Sequence, residues 1–251
     1  MKDNFSLQSN EYVKYRPTYP PVLFEYLFSL IKNKVTAWDC GTGNGQIAAA
    51  LADKFEKIFA TDISNNQLNN AVKKNNIIYS CVPAEQTHFA DNSFNLITVG
   101  QAIHWFNFDK FYSEAKRTLI QEDGILAVIG YDLITIDYEI DIITQWFYKN
   151  IIGKYWDAER HYVDEQYKTI PFPFKEIHSP GFNSIFEWTF AEYLGYLSTW
   201  SAVQHYIKDT GKDPILLIEA KLNDKWKDGE RKTVCFPILL RVGRISEKDA
   251  F

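Results

Sequence analysis

Two hydrophobic periodicities alternate along the chain between residues 34 and 131. Short runs of β-branched and other apolar residues are separated by segments in which apolar side chains recur at helical spacing. The short apolar runs predict strands at residues 35–40, 57–62, 77–81, 94–100 and 124–131. The amphipathic segments predict helices at residues 46–55, 66–74 and 108–119. Strands that alternate with helices indicate βαβ units in a parallel sheet, so the pattern predicts an α/β fold.

The segments that flank this core have less regular patterns. Pro17, Pro20 and Pro21 prevent a continuous helix before residues 22–31, so we expect an ordered arm at residues 12–21. Beyond the core, apolar spacing predicts helices at residues 137–148, 156–167, 191–208 and 214–226. Alternating residues predict a strand at 185–190, and a strongly apolar run predicts a final strand at 232–242. We expect the later helices to cap the sheet rather than to form a second domain.

The composition is that of one folded domain. The chain has 251 residues, of which 46% are hydrophobic and 24% are charged, as is ordinary for a globular α/β domain. We expect a single domain over residues 1–251, with an N-terminal arm and helix (1–33), a core (34–131), cap helices with one strand (132–226) and a final strand (227–251). The aromatic fraction of 16% is high and suits a protein that encloses an organic ligand.

Charge and targeting patterns argue against several classes of partner. The net charge is −5 and no dense run of Lys and Arg is present, which disfavours binding to nucleic acid. Residues 1–6 show no basic segment followed by an apolar stretch, and no apolar run approaches the roughly 18–20 residues that span a bilayer. We therefore expect a cytoplasmic protein that binds neither nucleic acid nor a membrane.

The cysteine and histidine positions argue against disulfides and metal. Cys40, Cys81 and Cys235 lie in apolar segments far apart in the sequence, as expected of buried thiols in a reducing compartment. The five histidines are scattered, with no spacing typical of metal ligands. We expect no disulfide and no metal site.

The strongest local signal is a strand that runs directly into a glycine-rich turn and then a helix. Asp39 lies at the end of the strand, and Gly41, Gly43 and Gly45 form the turn. Glycines there adopt backbone angles that other residues avoid, and they let a ligand approach the main chain. The helix that follows offers unpaired N–H groups to a carboxylate or phosphate. Asp39 could in turn accept hydrogen bonds from an ammonium group.

A second acid indicates a ligand that contains ribose. Asp62 ends the second predicted strand about 20 residues after the glycines, a position from which a carboxylate binds ribose hydroxyls. A nicotinamide or flavin dinucleotide uses the same features, but its third glycine would stand at position 46, which is Gln46 here. An acid directly before the turn also suits an ammonium group better than a pyrophosphate. These residues favour an adenosyl amino acid over a dinucleotide.

With these motifs, the chain resembles the class I S-adenosylmethionine-dependent methyltransferases, and more narrowly the group that contains the trans-aconitate methyltransferases. The narrower resemblance rests on residues 15–20, 100–106, 195–203 and 236–244, and the whole resemblance covers nearly the entire chain. It implies a Rossmann-like, doubly wound sheet of seven strands, mostly parallel, with a helical cap. The last strand would be antiparallel and would insert beside the strand at 124–131.

The resemblance also implies S-adenosyl-L-methionine as the cofactor and gives roles to individual residues. Asp39, Gly41 and Gly43 would surround its methionine part, and Gly45 is a further cofactor-binding candidate. Asp62 would bind the ribose, and Ala84 and Glu85 would contact the adenine. Gln101 would close over the sulfonium.

The same relatives imply an enzyme that methylates a carboxylate oxygen of a small molecule. A carboxylate has a pKa near 4, so it is ionised at neutral pH and needs no general base. An arginine would orient it, because a guanidinium matches a carboxylate bidentately. Arg16 is the candidate catalytic arginine, and Arg241 and Arg244 are further candidates. If the acceptor is a hydroxyl or an amine, a base would help, and His104 is next to the expected cofactor site.

Aromatic residues are candidates for enclosing the acceptor. The substrate-binding candidates are Tyr12, Tyr19, Trp105 and Trp200, with Trp146 and Tyr206 from the cap. A cofactor-binding protein without catalytic activity is a second class of function. The sequence leaves the identity of the acceptor and the oligomeric state open.

Overall fold

An eight-stranded mixed sheet forms the centre of the computed structural model, which describes residues 15–227 and 229–245. Its strands are β1 (Thr36–Cys40), β2 (Lys57–Asp62), β3 (Ile77–Cys81), β4 (Leu96–Gly100), β5 (Ile125–Tyr131), β6 (Lys175–Ile177), β7 (Asn183–Trp188) and β8 (Lys232–Arg244). Their order is β3-β2-β1-β4-β5-β8-β6, and β7 pairs with β8 beside this path. The first five strands are mutually parallel, whereas β8 is antiparallel to β5, β6 and β7. The predicted Rossmann-like sheet, with an antiparallel last strand beside the fifth, is confirmed.

Burial on both faces explains the sequences of the central strands. Nearly every residue of β1, β4 and β5 is buried. Parallel strands with helices on both faces have near-continuous apolar sequences for this reason. In the register of the sheet, Cys40 is level with Val99, and Gly100 is level with Ile129. The carboxyl ends of these strands therefore lie side by side, and the residues that follow them meet at one edge of the sheet.

The sheet has one strand more than the seven that the sequence predicts. Residues 232–237 of β8 pair with β7, residues 238–243 pair with β5, and residues 242–244 pair with β6. The sequence does predict a strand near β7, at 185–190. It does not predict β6, because three residues are too few to display a strand periodicity.

Helices cover the sheet and form the cap. They are α1 (Pro21–Ser29), α2 (Gln46–Leu51), α3 (Asn65–Asn69), α4 (Phe108–Thr118), α5 (Tyr138–Trp146), α6 (His161–Asp164), α7 (Phe190–Ser198), α8 (Ser201–Thr210) and α9 (Glu219–Asn223). Shorter helical turns lie at Ile103–Trp105, Phe147–Ile151, Gly153–Tyr155, Ala158–Arg160 and Pro214–Leu217. The predicted helices α2 and α3 are shorter than expected, and α1 and α4 agree with the sequence to within two residues at each end.

Three predicted cap helices are interrupted in the structure. Residues 191–208 form α7 and α8, which are separate because Trp200 between them has an extended backbone and a side chain buried in the cap. Residues 156–167 form one short turn followed by the single-turn helix α6, and residues 214–226 form a turn followed by α9. The cap is therefore a set of short elements around a shared aromatic core.

Aromatic contacts attach the cap to the sheet. The ring of Tyr131, the last residue of β5, packs edge-on against Phe236 of β8 at 5.7 Å between ring centroids. Phe236 packs in the same way against Tyr196 of α7 at 5.2 Å, and Tyr196 packs against Trp200 at 5.7 Å. This chain of rings holds the cap over the carboxyl end of β5.

The cysteine thiols are less buried than the sequence predicts. Cys40 is buried, Cys235 is half-buried and Cys81 is exposed, and all three are free thiols. Cys81 ends β3, which is an edge strand.

Among residues 15–227 and 229–245, no helix combines the length and hydropathy that a membrane span requires. The same residues contain no cluster of His, Cys, Asp or Glu that could hold a metal ion.

Candidate functional site

The glycine turn between β1 and α2 lies at the carboxyl edge of the sheet. Gly41, Gly43 and Gly45 have φ angles of 66°, 54° and 80°, in the left-handed region that favours glycine. A β-carbon at Gly45 would overlap the hydroxyl of Tyr79, whereas a β-carbon at Gly43 would meet no atom within 4 Å. Gly43 also lines a cavity. Gly45 therefore allows the turn to pack, and Gly43 leaves the main chain open to a ligand.

Asp39 is a buried carboxylate with three hydrogen-bond donors around it. Its Oδ2 accepts hydrogen bonds from Thr42 Oγ1 (2.5 Å) and from the Ala48 N–H (3.1 Å), and its Oδ1 accepts one from Thr98 Oγ1 (2.8 Å). Burial nevertheless raises the pKa of Asp39 from its usual 3.8 to about 6, because the hydrogen bonds offset only part of the lost hydration. Near neutral pH, Asp39 therefore holds a fixed negative charge at the base of the turn.

Asp62 lies beside the glycine turn, at the end of the neighbouring strand. Its Oδ2 accepts a hydrogen bond from the Gly43 N–H (2.8 Å), and its Oδ1 accepts one from the Ser64 N–H (2.9 Å). Cys40 and Thr61 are level in the β1–β2 register, so the two strands end together. Asp39 and Asp62 line the same cavity, as the sequence motifs lead us to expect.

The cavity lies between the glycine turn and the cap, and it brings together most of the residues that the sequence predicts. The predicted residues that line it are Arg16, Tyr19, Asp39, Gly41, Gly43, Asp62, Gln101, His104, Trp105 and Trp200. Lining residues that sequence reasoning missed include Ser64, Gln67, Tyr131, Trp156, Asp157, Arg160, Tyr196 and Ser201. Tyr131 could have been found, because it ends a predicted parallel strand at the edge where ligands bind.

Gln101 follows β4 and is held in an unusual backbone conformation. Its φ angle is 51°, in the left-handed region, which costs roughly 1–2 kcal/mol for a residue other than glycine. Its N–H donates to the Ile129 carbonyl (2.8 Å), and its Oε1 accepts a hydrogen bond from the Tyr131 N–H (3.0 Å). The first bond fixes the main chain of Gln101, and the second fixes its side chain beside the end of β5.

His104 lines the cavity but is poorly suited to act as a general base. Burial, with a smaller contribution from the positive charge of Arg160, lowers its pKa to about 3. Its Nδ1 lies 3.4 Å from the hydroxyl of Tyr167. The imidazole is therefore neutral at physiological pH, and its affinity for a proton is too low for efficient base catalysis.

Arg16 also lines the cavity, and its terminal nitrogens both donate to the protein. Nη1 donates to the Tyr131 hydroxyl (2.8 Å) and Nη2 donates to the Thr199 carbonyl (2.8 Å). The guanidinium lies 5.8 Å from the centre of the Tyr196 ring. Arg16 therefore ties the N-terminal arm to β5 and to the junction of α7 and α8.

Several predicted cofactor contacts lie outside the cavity lining. Gly45 packs on Tyr79, Ala84 is buried in the hydrophobic core, and Glu85 accepts a hydrogen bond from the Asn107 N–H (3.0 Å). Their predicted contacts with the cofactor therefore stay predictions. Tyr12 lies outside the described residues.

The other arginine and aromatic candidates lie outside the cavity lining, so their predicted roles in binding the acceptor stay predictions. Arg241 binds the Glu176 carboxylate (2.9 and 3.1 Å) and the carbonyls of Tyr167 and Ile170, and it does not line the cavity. Arg244 donates to the carbonyls of Asp123 and Leu30, at the opposite edge of the sheet. Trp146 is 42% exposed and Tyr206 packs against Tyr155, and neither ring lines the cavity.

Arg160 is a positively charged lining residue that the sequence did not indicate. Its Nε donates to the Tyr148 hydroxyl (2.8 Å) and to Asp164 Oδ1 (3.3 Å). Its guanidinium lies over the Trp156 ring at 4.9 Å and near the Tyr148 ring at 5.6 Å. Arg160 ends the short turn Ala158–Arg160, within residues 156–167, which the sequence predicts as one polar helix. The hydrophobic periodicity of that segment does not indicate which of its residues faces the cavity. The acid Asp157, from the same segment, also lines the cavity.

The residues at the sheet edge fit S-adenosylmethionine, the cofactor that the resemblance implies. The open space at Gly43 allows the main chain to approach a ligand. Asp39 offers a negative charge for an ammonium group, and Asp62 offers carboxylate oxygens for ribose hydroxyls. The helix α2 begins directly after the turn, and its first two residues, Gln46 and Ile47, line the cavity, where the first turn of a helix can donate N–H groups to a ligand carboxylate.

We expect Asp62→Ala to weaken binding of S-adenosylhomocysteine by roughly tenfold to a hundredfold, because the ribose hydroxyls would lose a charged acceptor. Isothermal calorimetry measures the effect. Asp53→Ala is the matched control, since Asp53 has a 72% exposed side chain paired with Lys74 outside the cavity. Unchanged affinity in Asp62→Ala, or tight binding of NADH by the wild-type protein, would contradict the ribose role.

Comparisons with known proteins agree with this geometry. A family model described as a methyltransferase domain matches residues 38–128. A Dictyostelium discoideum protein described as a methyltransferase is 34% identical over 246 residues, which cover 95% of this chain and 93% of the relative. The solved structure of a type II methyltransferase from Anaeromyxobacter dehalogenans is 35% identical, with a TM-score of 0.85, and the match covers 92% of this chain and 98% of that one. A methyltransferase structure from Bacillus halodurans, 20% identical with a TM-score of 0.55 over 90% of this chain and 99% of that one, shares the fold.

Proposed function

This chain belongs to the S-adenosylmethionine-dependent methyltransferases, and we propose that it methylates a carboxylate oxygen of a small organic acid. The observation that carries the proposal is the charge along the cavity. Asp39 and Asp62 supply acids at the glycine turn, whereas the cap side carries two guanidinium groups, those of Arg16 and Arg160, and one acid, Asp157. A cation in that position favours an anionic acceptor. The resemblance to the trans-aconitate methyltransferase group supports the same class of acceptor.

The chain's own contribution to such a reaction is to bind, orient and exclude water. When bound, the cofactor supplies a methyl group that is already electrophilic, because it is attached to a sulfonium. The glycine turn and Asp62 would hold the cofactor, and Gln101 would fix its position relative to the end of β5. The rings of Trp105 and Trp200 would exclude water from the acceptor. An acceptor oxygen held in line with the S–CH₃ bond can then attack the methyl carbon without acid–base or covalent catalysis by the protein.

The titration state of His104 favours an acceptor that is already ionised. A carboxylate oxygen forms its bond to the methyl carbon with an electron pair that carries no proton, so no base is consumed. A hydroxyl or protonated amine must lose a proton, and a base is most effective when its pKa is near the working pH. His104, with a pKa of about 3, is far from that range. Methylation of a hydroxyl or an amine is therefore the weaker candidate.

An acceptor screen tests the proposed function. We expect the purified protein, supplied with S-adenosylmethionine carrying a labelled methyl group, to label small carboxylic acids, in a product that alkali hydrolyses as a methyl ester. Phenols, amines and the amides of the same acids should remain unlabelled. Label confined to phenols or amines would refute the carboxylate acceptor, and cofactor binding without transfer to any class would favour a non-catalytic binding protein.

A further inference from the structure

We infer that Arg160, rather than Arg16, binds the carboxylate of the acceptor, and that the cavity suits an acid with a flat, apolar body. The inference rests on the proposed function and adds to it the anchoring residue and the shape of the substrate. It comes from a comparison of the two arginines that line the cavity, which differ in how the protein uses their guanidinium nitrogens.

Arg16 is committed to the protein scaffold. Each of its terminal nitrogens donates to a protein oxygen, one on Tyr131 and one on Thr199. A carboxylate that bound Arg16 bidentately would have to displace the bonds that attach the arm to the cap and sheet. Arg16 therefore stabilises the wall of the cavity.

Arg160 is oriented by the protein through a different atom. Among the described residues, its side-chain hydrogen bonds all leave from Nε, to Tyr148 and Asp164. The aromatic rings of Tyr148 and Trp156 support the plane of the guanidinium. The edge that carries both terminal nitrogens is the part of an arginine that matches the two oxygens of a carboxylate. Arg160 thus has the fixed plane and the available donors that an anchor requires.

The position of Arg160 is next to the expected point of methyl transfer. The turn Ala158–Arg160 contacts the turn Ile103–Trp105, which follows β4 and Gln101 directly. Its positive charge reaches His104 on that turn and lowers the pKa of the imidazole. The acid that shares the cavity wall, Asp157, lies 4.0 Å from His205 Nδ1. An acceptor held by Arg160 would lie between the cap and the end of β4, where a cofactor bound at the glycine turn would present its methyl group.

The walls around Arg160 indicate the shape of the acid. Trp156, Trp200 and Tyr196 line the cavity, with 5.6 Å between the centroids of the two indoles and 5.7 Å between Tyr196 and Trp200. Trp105 lines it from the side of β4. Aromatic faces and edges pack well against flat apolar groups. Benzoate has this combination of a planar ring and one carboxylate, so it is a suitable probe, and benzamide has the same shape without the charge.

Calorimetry with the S-adenosylhomocysteine-loaded protein tests the inference. We expect wild type to bind benzoate at least about tenfold more tightly than benzamide, because a charged bidentate pair is lost with the amide. Arg160→Gln should abolish that preference, Arg160→Lys should retain part of it, and both should bind S-adenosylhomocysteine as wild type does, which shows that they are folded. Arg231→Gln is the control, since Arg231 is a half-exposed arginine paired with Glu192 outside the cavity.

The outcomes separate this inference from the proposed function. A wild-type protein that does not distinguish benzoate from benzamide, or an Arg160→Gln variant that keeps the wild-type preference, overturns the role of Arg160. If the acceptor screen yields methyl esters and Arg160→Gln leaves the KM for the acid unchanged, the inference fails while the proposed function stands. If Arg160→Gln abolishes benzoate binding but no acid is methylated, the anion site stands and the proposed function fails.

Discussion

Gly43→Ala is expected to remove most of the affinity for S-adenosylmethionine while the chain remains folded. The added β-carbon meets no protein atom within 4 Å, so the only cost to the fold is the positive φ angle, roughly 1–2 kcal/mol. The same carbon projects from a residue that lines the cavity, where the main chain must approach the ligand. An intruding methyl group costs about 1–3 kcal/mol, which is up to roughly a hundredfold in affinity. Calorimetry with S-adenosylhomocysteine measures the loss.

Gly45→Ala is the matched control for this prediction. Gly45 has the same kind of backbone conformation, but its β-carbon would overlap the Tyr79 hydroxyl. We expect this variant to lose stability instead, by roughly 2–5 kcal/mol when strain and overpacking are combined. Urea denaturation of both variants compares the free energies of unfolding. If Gly43→Ala bound the cofactor normally, or if the two variants were equally unstable, the division of roles between the two glycines would be wrong.

The core of the fold was predictable because each of its strands is long enough to show its burial. β1, β4 and β5 are buried on both faces and appear in the sequence as continuous apolar runs. The placement of Asp39 and Asp62 follows from the same information. Both stand at the ends of adjacent parallel strands, and parallel strands end at one edge of a sheet.

The position of Arg241 outside the cavity lining follows from a strand that the sequence did not reveal. β6 has three residues, and its Glu176 is level with Gly243 of β8. Without β6, the partner of Arg241 was not visible, and the arginine could be taken for a substrate-binding group. With β6 in place, Glu176 and two carbonyl groups account for the guanidinium. The Arg241 side chain in turn lowers the pKa of Glu176 by hydrogen bonding and charge.

The cap could not be predicted at the level of individual residues. Its elements are short turns whose directions are set by packing in a shared aromatic core, so periodicity does not indicate which side chain faces the cavity. Arg160 and Trp156 come from a segment predicted as one helix, whereas the structure has separate turns there. The regular strands of the core are therefore easier to interpret from the sequence than the irregular segments of the cap.

Asp39→Asn is expected to weaken cofactor binding and at the same time to maintain or raise the stability of the cofactor-free protein. Asparagine has the shape of aspartate but no charge to bury. Its single oxygen can accept hydrogen bonds from Thr42 and from the Ala48 N–H, and its NH2 group can donate to the Thr98 hydroxyl, which then accepts. Without the charge, the ammonium group of the cofactor loses its partner, at a cost of roughly tenfold to a hundredfold in affinity. Asp53→Asn, at an exposed acid, should change neither property.

We expect the stability of the cofactor-free protein and its affinity for the cofactor to change in opposite directions with pH. Because burial raises the folded-state pKa of Asp39 above 3.8 to about 6, the folded protein holds this proton more tightly than the unfolded chain. The resulting stability is fully present below pH 3.8 and is lost as the pH rises through about 6, by up to about 3 kcal/mol. Cofactor affinity should rise over the same range, since only ionised Asp39 attracts an ammonium group.

Denaturant titrations and calorimetry between about pH 5 and pH 8 compare wild type with Asp39→Asn, which lacks this ionisation. The difference in unfolding free energy between variant and wild type should grow in favour of the variant as the pH rises through about 6. The ratio of their cofactor affinities should grow in favour of wild type across the same interval. If the stability and the cofactor affinity of wild type both rose relative to Asp39→Asn, the charge of Asp39 would stabilise the fold itself. The carboxylate would then have a structural role, and the prediction would be wrong. If stability falls while cofactor affinity rises, the ionised Asp39 carboxylate destabilises the cofactor-free fold and is stabilised by the ammonium group of the bound cofactor.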